Sequence, residues 1–181
     1  MTALTPSILR TLVPDYQDWP IFIETGTYHG ETIFAMESLF DELHTIELGP
    51  DLWRDVTKSY SGTKIQFWLG ESSAVLPKLL PQIRRSTIFF LDGHWSCCGT
   101  ARGSVDVPLL EELSIICETF YPPAVVIIDD LRLFEQGPHS GEPVDWKQIS
   151  REAVEAIASE RLIGYTADCG HDKLILRLAG L

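Results

Sequence analysis

Apolar runs of strand length alternate along the chain with segments of helical spacing. The runs cover 21–23, 43–48, 64–69, 87–91 and 124–128, and the helical segments between them cover 31–40, 51–60, 72–83 and 107–120. Strands that are apolar almost throughout, each followed by a helical segment, predict a parallel sheet covered on both faces. Pro50-Asp51 marks a helix start, and Ser72 or Ser73 suits an N-cap. Pro81 is placed to end the third helical segment, while Pro122-Pro123 closes the fourth and leads into AVVIIDD. Residues 131–147, LRLFEQGPHSGEPVDWK, show no period and read as a long loop. A helix over 148–160 follows, then RLIGYTA and DKLILRL. The D-C-G-H between those two runs is too short for a crossover helix, so they must form an antiparallel hairpin.

With 181 residues and 45% hydrophobic content, the chain is expected to form one domain over residues 1–181 with a sizeable core. Its net charge of −12 counts against nucleic acid and against anionic membranes. Such partners need clustered Lys and Arg, and only Arg84-Arg85 stand together. No apolar run approaches the ~20 residues that span a bilayer. The N-terminal MTALTPSILRTLVPDYQDWP lacks the basic start, apolar stretch and cleavage site of a signal peptide, so a cytoplasmic protein is expected. Cys97, Cys98, Cys117 and Cys169 are too few and too irregular for a disulfide framework, which agrees with a reducing compartment.

In an open parallel sheet, ligands bind beyond the carboxyl ends of the strands. The polar residues at those ends therefore carry the candidate chemistry. The first group is Glu24-Thr25-Gly26-Thr27-Tyr28-His29-Gly30. Gly26 permits a sharp turn and Gly30 a close approach of helix or ligand. Tyr28 stands where a dinucleotide site has a glycine, so the turn suits a ligand without phosphates, with Glu24 drawing its cationic end. Taken alone, the same residues also describe an ordinary strand–helix turn.

Glu47 follows Gly26 by 21 residues, the spacing at which an acid bonds a ribose diol; a solvated acid at a strand end is the plainer alternative. Gly70, Glu71 and Ser72 could meet an adenine edge or merely cap a helix. Asp92 in FFLDGHWS and Asp129-Asp130 in VVIIDDLR crowd carboxylates at neighbouring strand ends. Such acids repel unless something cationic sits among them, whether a divalent metal such as Mg2+ or a partner such as Arg102 or Arg132. His94 is suited to take a proton from a hydroxyl, or to hydrogen-bond within its loop. His94 with Cys97-Cys98 hints at zinc, but adjacent thiols rarely share one tetrahedral ion and no second pair follows.

Taken together, residues 21–36, 43–48, 65–76, 87–94 and 124–130 resemble a class I S-adenosylmethionine-dependent methyltransferase, with RLIGYTA/DKLILRL supplying the terminal hairpin. ETGTYHGET is similar to the E-[TV]-G-x-[YW]-x-G-G turn of the macrocin O-methyltransferase-like branch. LDGHW and IIDDLR stand where that branch has D-G-D and D-D. The resemblance implies an α/β, Rossmann-like sandwich with a mostly parallel seven-stranded sheet and a C-terminal antiparallel hairpin. It implies a site for S-adenosylmethionine built from Glu24, Thr25, Gly26, Tyr28, Gly30, Glu47, Gly70, Glu71, Ser72 and Asp92. It implies Mg2+ on Asp92, Asp129 and Asp130, and methyl transfer to a hydroxyl of a small sugar or natural product, with Asp92 and His94 as catalytic residues. His94 replaces the second aspartate of D-G-D, so the base would be an imidazole. Loops 93–106 and 131–147, with Trp95, Arg102 and His139, would form the acceptor pocket. Two rivals stand beside this reading. One is a Rossmann enzyme using NAD, against which Tyr28 and the hairpin count; the other is a cofactor-binding relative without catalysis. The edge of the terminal hairpin also offers a route to a homodimer.

Overall fold

In the computed structural model, which describes residues 3–97, 99–139 and 143–181, the alternating pattern becomes one sheet between two helical layers. The strands are β1 (Ile21–Thr25), β2 (Glu42–Glu47), β3 (Ile65–Leu69), β4 (Thr87–Leu91), β5 (Ala124–Ile128), β6 (Leu162–Asp168) and β7 (Lys173–Leu178). They form a 7-stranded sheet in the order β3-β2-β1-β4-β5-β7-β6. The first five are parallel, and β7 runs antiparallel to both β5 and β6. The expected hairpin is therefore present, with β7 inserted beside β5. β6 lies at the sheet edge with Ile163 exposed, and the homodimer expectation rests on that edge.

The sequence of β4, TIFFL, shows how both faces come to be covered. Phe89 and Leu91 enter one core, together with Leu76, Leu113, Ile116 and Val154. Ile88 and Phe90 enter the other, with Leu9, Ile33, Met36 and Phe40. A period of two carries each residue to the opposite face, so a strand buried on both sides reads as unbroken apolar sequence.

The helices are α1 (Pro6–Leu12), α2 (Glu31–Met36), α3 (Pro50–Ser59), α4 (Ser72–Leu79), α5 (Leu109–Thr119) and α6 (Arg151–Ala158). α1 lies in a segment where no element was expected. Thr5 caps it by accepting the N–H of Ile8, and Leu9 is fully buried. α2 stops at Met36, short of the predicted 40, because the chain turns there and seats Phe40 5.1 Å from Phe22. Pro81 sits in a separate 3-10 turn, Leu80–Gln82, after α4 has ended. α6 begins at Arg151, where the hydroxyl of Ser150 accepts the N–H of Ala153 at 3.0 Å. Among the described residues no helix is long and apolar enough to cross a membrane.

Strand register brings the candidate residues to one edge. Thr25 pairs with Leu91, and Leu91 with Ile128, so Gly26, Asp92 and Asp129 leave the sheet side by side.

Candidate functional site

The turn after β1 is shaped by backbone that most residues avoid. Gly26 has φ +84°, and a Cβ there would lie 2.4 Å from the carbonyl oxygen of Asp92. Only glycine allows β1 and β4 to end so close together. Tyr28 adopts φ +49°, and its backbone N–H donates to Glu47 Oε2 at 2.8 Å. Gly49 N–H donates to the other oxygen, Oε1, at 2.7 Å. The ring of Tyr28 is partly exposed and lies 4.0 Å from that of His29. The amide that a phosphate would use in a dinucleotide site is thus engaged by a carboxylate.

Glu24 is buried at the end of β1. Its Oε2 accepts from the Thr45 hydroxyl at 2.7 Å, and that hydroxyl shares a 2.6 Å hydrogen bond with Thr27. Burial raises its carboxyl well above the ordinary carboxylate range, the Thr45 bond opposes this, and the charges of Asp92 and Glu47 add to it.

Glu24, Gly26, Tyr28, Glu47, Gly70, Glu71, Ser72, Asp92 and His94 all border one cavity of about 310 Å³. Thr25 and Gly30 do not. Thr25 is fully buried, and Gly30, at φ +81°, is the N-cap position of α2. Glu71 is engaged across the opening: Ser104 donates to it from its backbone N–H at 2.5 Å and from its hydroxyl at 3.3 Å. Loop 93–106 is thereby fastened over the cavity.

The strand-end aspartates separate into two environments. Asp92 and Asp130 flank His94, with Nδ1 3.5 Å from Asp92 Oδ1 and Nε2 3.4 Å from Asp130 Oδ2. The indole of Trp146 meets the imidazole edge-on at 5.0 Å. Asp129 is held elsewhere. Its Oδ1 accepts from Lys173 Nζ at 2.5 Å and from the backbone N–H of Asp130 at 2.6 Å. Arg132 pairs with Asp130 and with Asp172. Close donor sets exist for Asp92, His94 and Asp130 and for Asp129, Asp130 and Asp172, but among the described residues none unites Asp92, Asp129 and Asp130. Burial raises the carboxyl of Asp92, with the neighbouring His94 pulling it back. Burial, with the charge of Asp92, pushes Asp129 up to about 7 against the pull of Lys173.

Two residues of this region were missed from the sequence. Lys173 is the charged first residue of a mostly apolar strand, the place where a charge is usually solvated. Glu112 had a readable signal, since it shares the buried face of α5 with Leu109, Leu113 and Ile116. Its carboxyl is buried, and a Cβ on Gly93 would lie 3.0 Å from Oε1 and 3.2 Å from the Thr25 hydroxyl. Burial lifts Glu112 to about 7, partly offset by the hydroxyls of Ser72 and Thr25.

On the acceptor side the outcome is mixed. Trp95 borders the cavity, whereas Arg102 is exposed, stacks on Trp95 at 4.3 Å and pairs with Asp106 through two bonds of 2.6 and 2.9 Å. Arg102 braces the loop and does not border the cavity. His139 is exposed and does not border it either. Cys98, half of the rejected zinc pair, and residues 140–142 of the second loop lie outside the described residues.

No protein-family model and no curated protein matches the chain. Solved structures do. The chain is similar to PH0226 from Pyrococcus horikoshii OT3, with TM-score 0.62 and 12% identity over 96% of this chain and 88% of that one. It is similar to N-methyltransferase NodS from Bradyrhizobium japonicum WM9, with TM-score 0.56 and 13% identity over 96% and 93%. Human methyltransferase-like protein 13, solved in complex with SAH, matches with TM-score 0.55 and 12% identity over 92% and 74%. The fold is that of the class I methyltransferases. Matches with this methyltransferase fold include O-, N- and rRNA-modifying proteins, and none singles out the macrocin-like branch.

Proposed function

We propose that the chain is an S-adenosylmethionine-dependent methyltransferase acting on a hydroxyl of a small molecule. The observation that carries this reading is Glu47, fixed by two backbone N–H groups beside a cavity at the carboxyl ends of the strands. A carboxylate offers about four lone-pair sites. Two are taken by Tyr28 and Gly49, which leaves acceptor capacity for a ribose diol. Glu24 suits the opposite end of the ligand. Burial raises the Glu24 carboxyl when no cation is near, and an approaching ammonium or sulfonium favours its ionised form.

S-adenosylmethionine, when bound, supplies an electrophilic methyl carbon on a cationic sulfur. What the chain contributes is alignment: the turn 26–30, Glu47 and the start of α4 hold the donor, and Trp95 with loop 93–106 walls off water. His94 borders the cavity and is the proposed base for the acceptor's proton. Its two nitrogens face Asp92 and Asp130, so one of these contacts has to open for the ring to take that proton. The three-aspartate Mg2+ site does not fit this geometry, because Asp129 is engaged by Lys173.

The cavity wall supports a small, non-anionic acceptor. Glu24, Glu31, Glu47, Glu71 and Asp92 line it, and among the described residues no Lys or Arg does. A phosphate-bearing acceptor, nucleic acid included, would enter against those charges. The NAD rival is weakened by the same turn, since the Tyr28 amide already serves Glu47. Calorimetry with S-adenosylhomocysteine and with NAD tests the reading. Binding of the first alone is expected, and binding of NAD alone would overturn it.

A further inference from the structure

Three strand-end carboxylates in one region need positive charge nearby. The chain provides it from β7. Lys173 is 1% exposed and Asp129 4%, and their 2.5 Å contact lies wholly inside the protein. The same Asp129 oxygen accepts the Asp130 N–H, which helps hold Asp130 at φ +56°. Held so, Asp130 gives Oδ1 to Arg132 and turns Oδ2 toward His94, whose other nitrogen faces Asp92. A chain of contacts therefore runs Lys173, Asp129, Asp130, His94, Asp92.

We propose that Lys173 is a positioning residue that takes the place of a divalent cation at Asp129, whose Oδ1 it holds. Asp129 Oδ2, Asp130 Oδ2 and Asp92 Oδ1 stay buried without a hydrogen-bond partner among the described residues. A cation seated on Asp129 would have to displace the ammonium from Oδ1 or lie beside it in a buried region, and either is opposed by the charge already there. The remaining donors, Asp92, His94 and Asp130, lie within 4.8 Å of one another. Asp130 shares the Arg132 cation with Asp172, so this second set attracts a hard dication less than carboxylates with no cation beside them would. This inference concerns the ion alone and stands or falls separately from the cofactor reading.

Mn2+, a spectroscopic stand-in for Mg2+ at oxygen-rich sites, gives a direct test. Protein stripped with chelator is titrated with Mn2+ and followed by electron paramagnetic resonance, with and without S-adenosylhomocysteine. In wild type the signal of the free ion is expected to persist. Lys173→Gln, which frees Asp129, is expected to bind one Mn2+, and a further Asp129→Asn to lose it. Stoichiometric binding by wild type that disappears in Asp130→Asn overturns the proposal. So does a Lys173→Gln protein with native circular dichroism that ignores the ion. Should Lys173→Gln not fold, the wild-type titration with its Asp130→Asn control still decides.

Discussion

The carboxylate of Glu47 accepts the backbone N–H of Tyr28 at 2.8 Å. This one bond joins the two features by which the sequence suggested a nucleoside site, the turn after β1 and the acid ending β2. It also explains why a bulky residue is tolerated at 28: the position contributes its amide, and the ring turns outward.

Glu47 is therefore expected to govern cofactor affinity. Loss of hydrogen bonds to a charged group costs roughly 1.5–3 kcal/mol, or about 10- to 100-fold in a dissociation constant. Glu47→Ala should weaken S-adenosylhomocysteine by that factor in calorimetry. Glu47→Gln should fare little better, because an amide cannot present two acceptors to Tyr28 and Gly49. An unchanged dissociation constant in both variants would remove Glu47 from the site.

Gly26→Ala tests the turn itself. The added Cβ would sit 2.4 Å from the Asp92 carbonyl, in a backbone conformation at φ +84° that alanine disfavours. Strain of roughly 1–3 kcal/mol is expected, together with displacement of the end of β4. A lowered melting temperature and lost S-adenosylhomocysteine binding should appear together. A fully stable variant with intact binding would mean that the turn tolerates a Cβ at position 26.

Glu112 predicts a pH dependence of stability. Its carboxyl titrates near 4.5 when unfolded and near 7 when folded. Between those values folding takes up a proton, so Glu112 lowers stability progressively as pH rises through that window. The penalty then levels off at about 3 kcal/mol, as an order of magnitude. Glu112→Gln should match wild type near pH 5 and melt higher than wild type near pH 8. Parallel melting curves across that range would show that Glu112 is not buried as an acid.

The strands of the sheet and the hairpin were legible because they depend on apolar runs and short connections, which a single sequence displays. Glu24, Gly26, Glu47 and Asp92 were legible because strand order sends every carboxyl end to the same edge. Lys173 was not, since its partner Asp129 lies 44 residues away and only the insertion of β7 beside β5 brings them together. Arg102 was misread for a related reason. Its cation serves Trp95 and Asp106 within its own loop, and that local pairing leaves no trace in residue type.

Glu71 offers the sharpest separation between two roles. Its sequence position suggested contact with adenine, whereas its carboxylate holds Ser104 and so fastens loop 93–106 across the cavity. If fastening is its role, Glu71→Ala frees the loop. Protease should then cut within 93–106 faster than in wild type, and S-adenosylhomocysteine should dissociate about fivefold faster, the equivalent of one modest hydrogen bond near 1 kcal/mol. Ser104→Ala should share only a small part of this effect, because the shorter bond comes from the backbone N–H, which that variant keeps. Were Glu71 instead an adenine contact, its loss would weaken adenine-bearing ligands while leaving the proteolysis pattern of the unliganded protein unchanged.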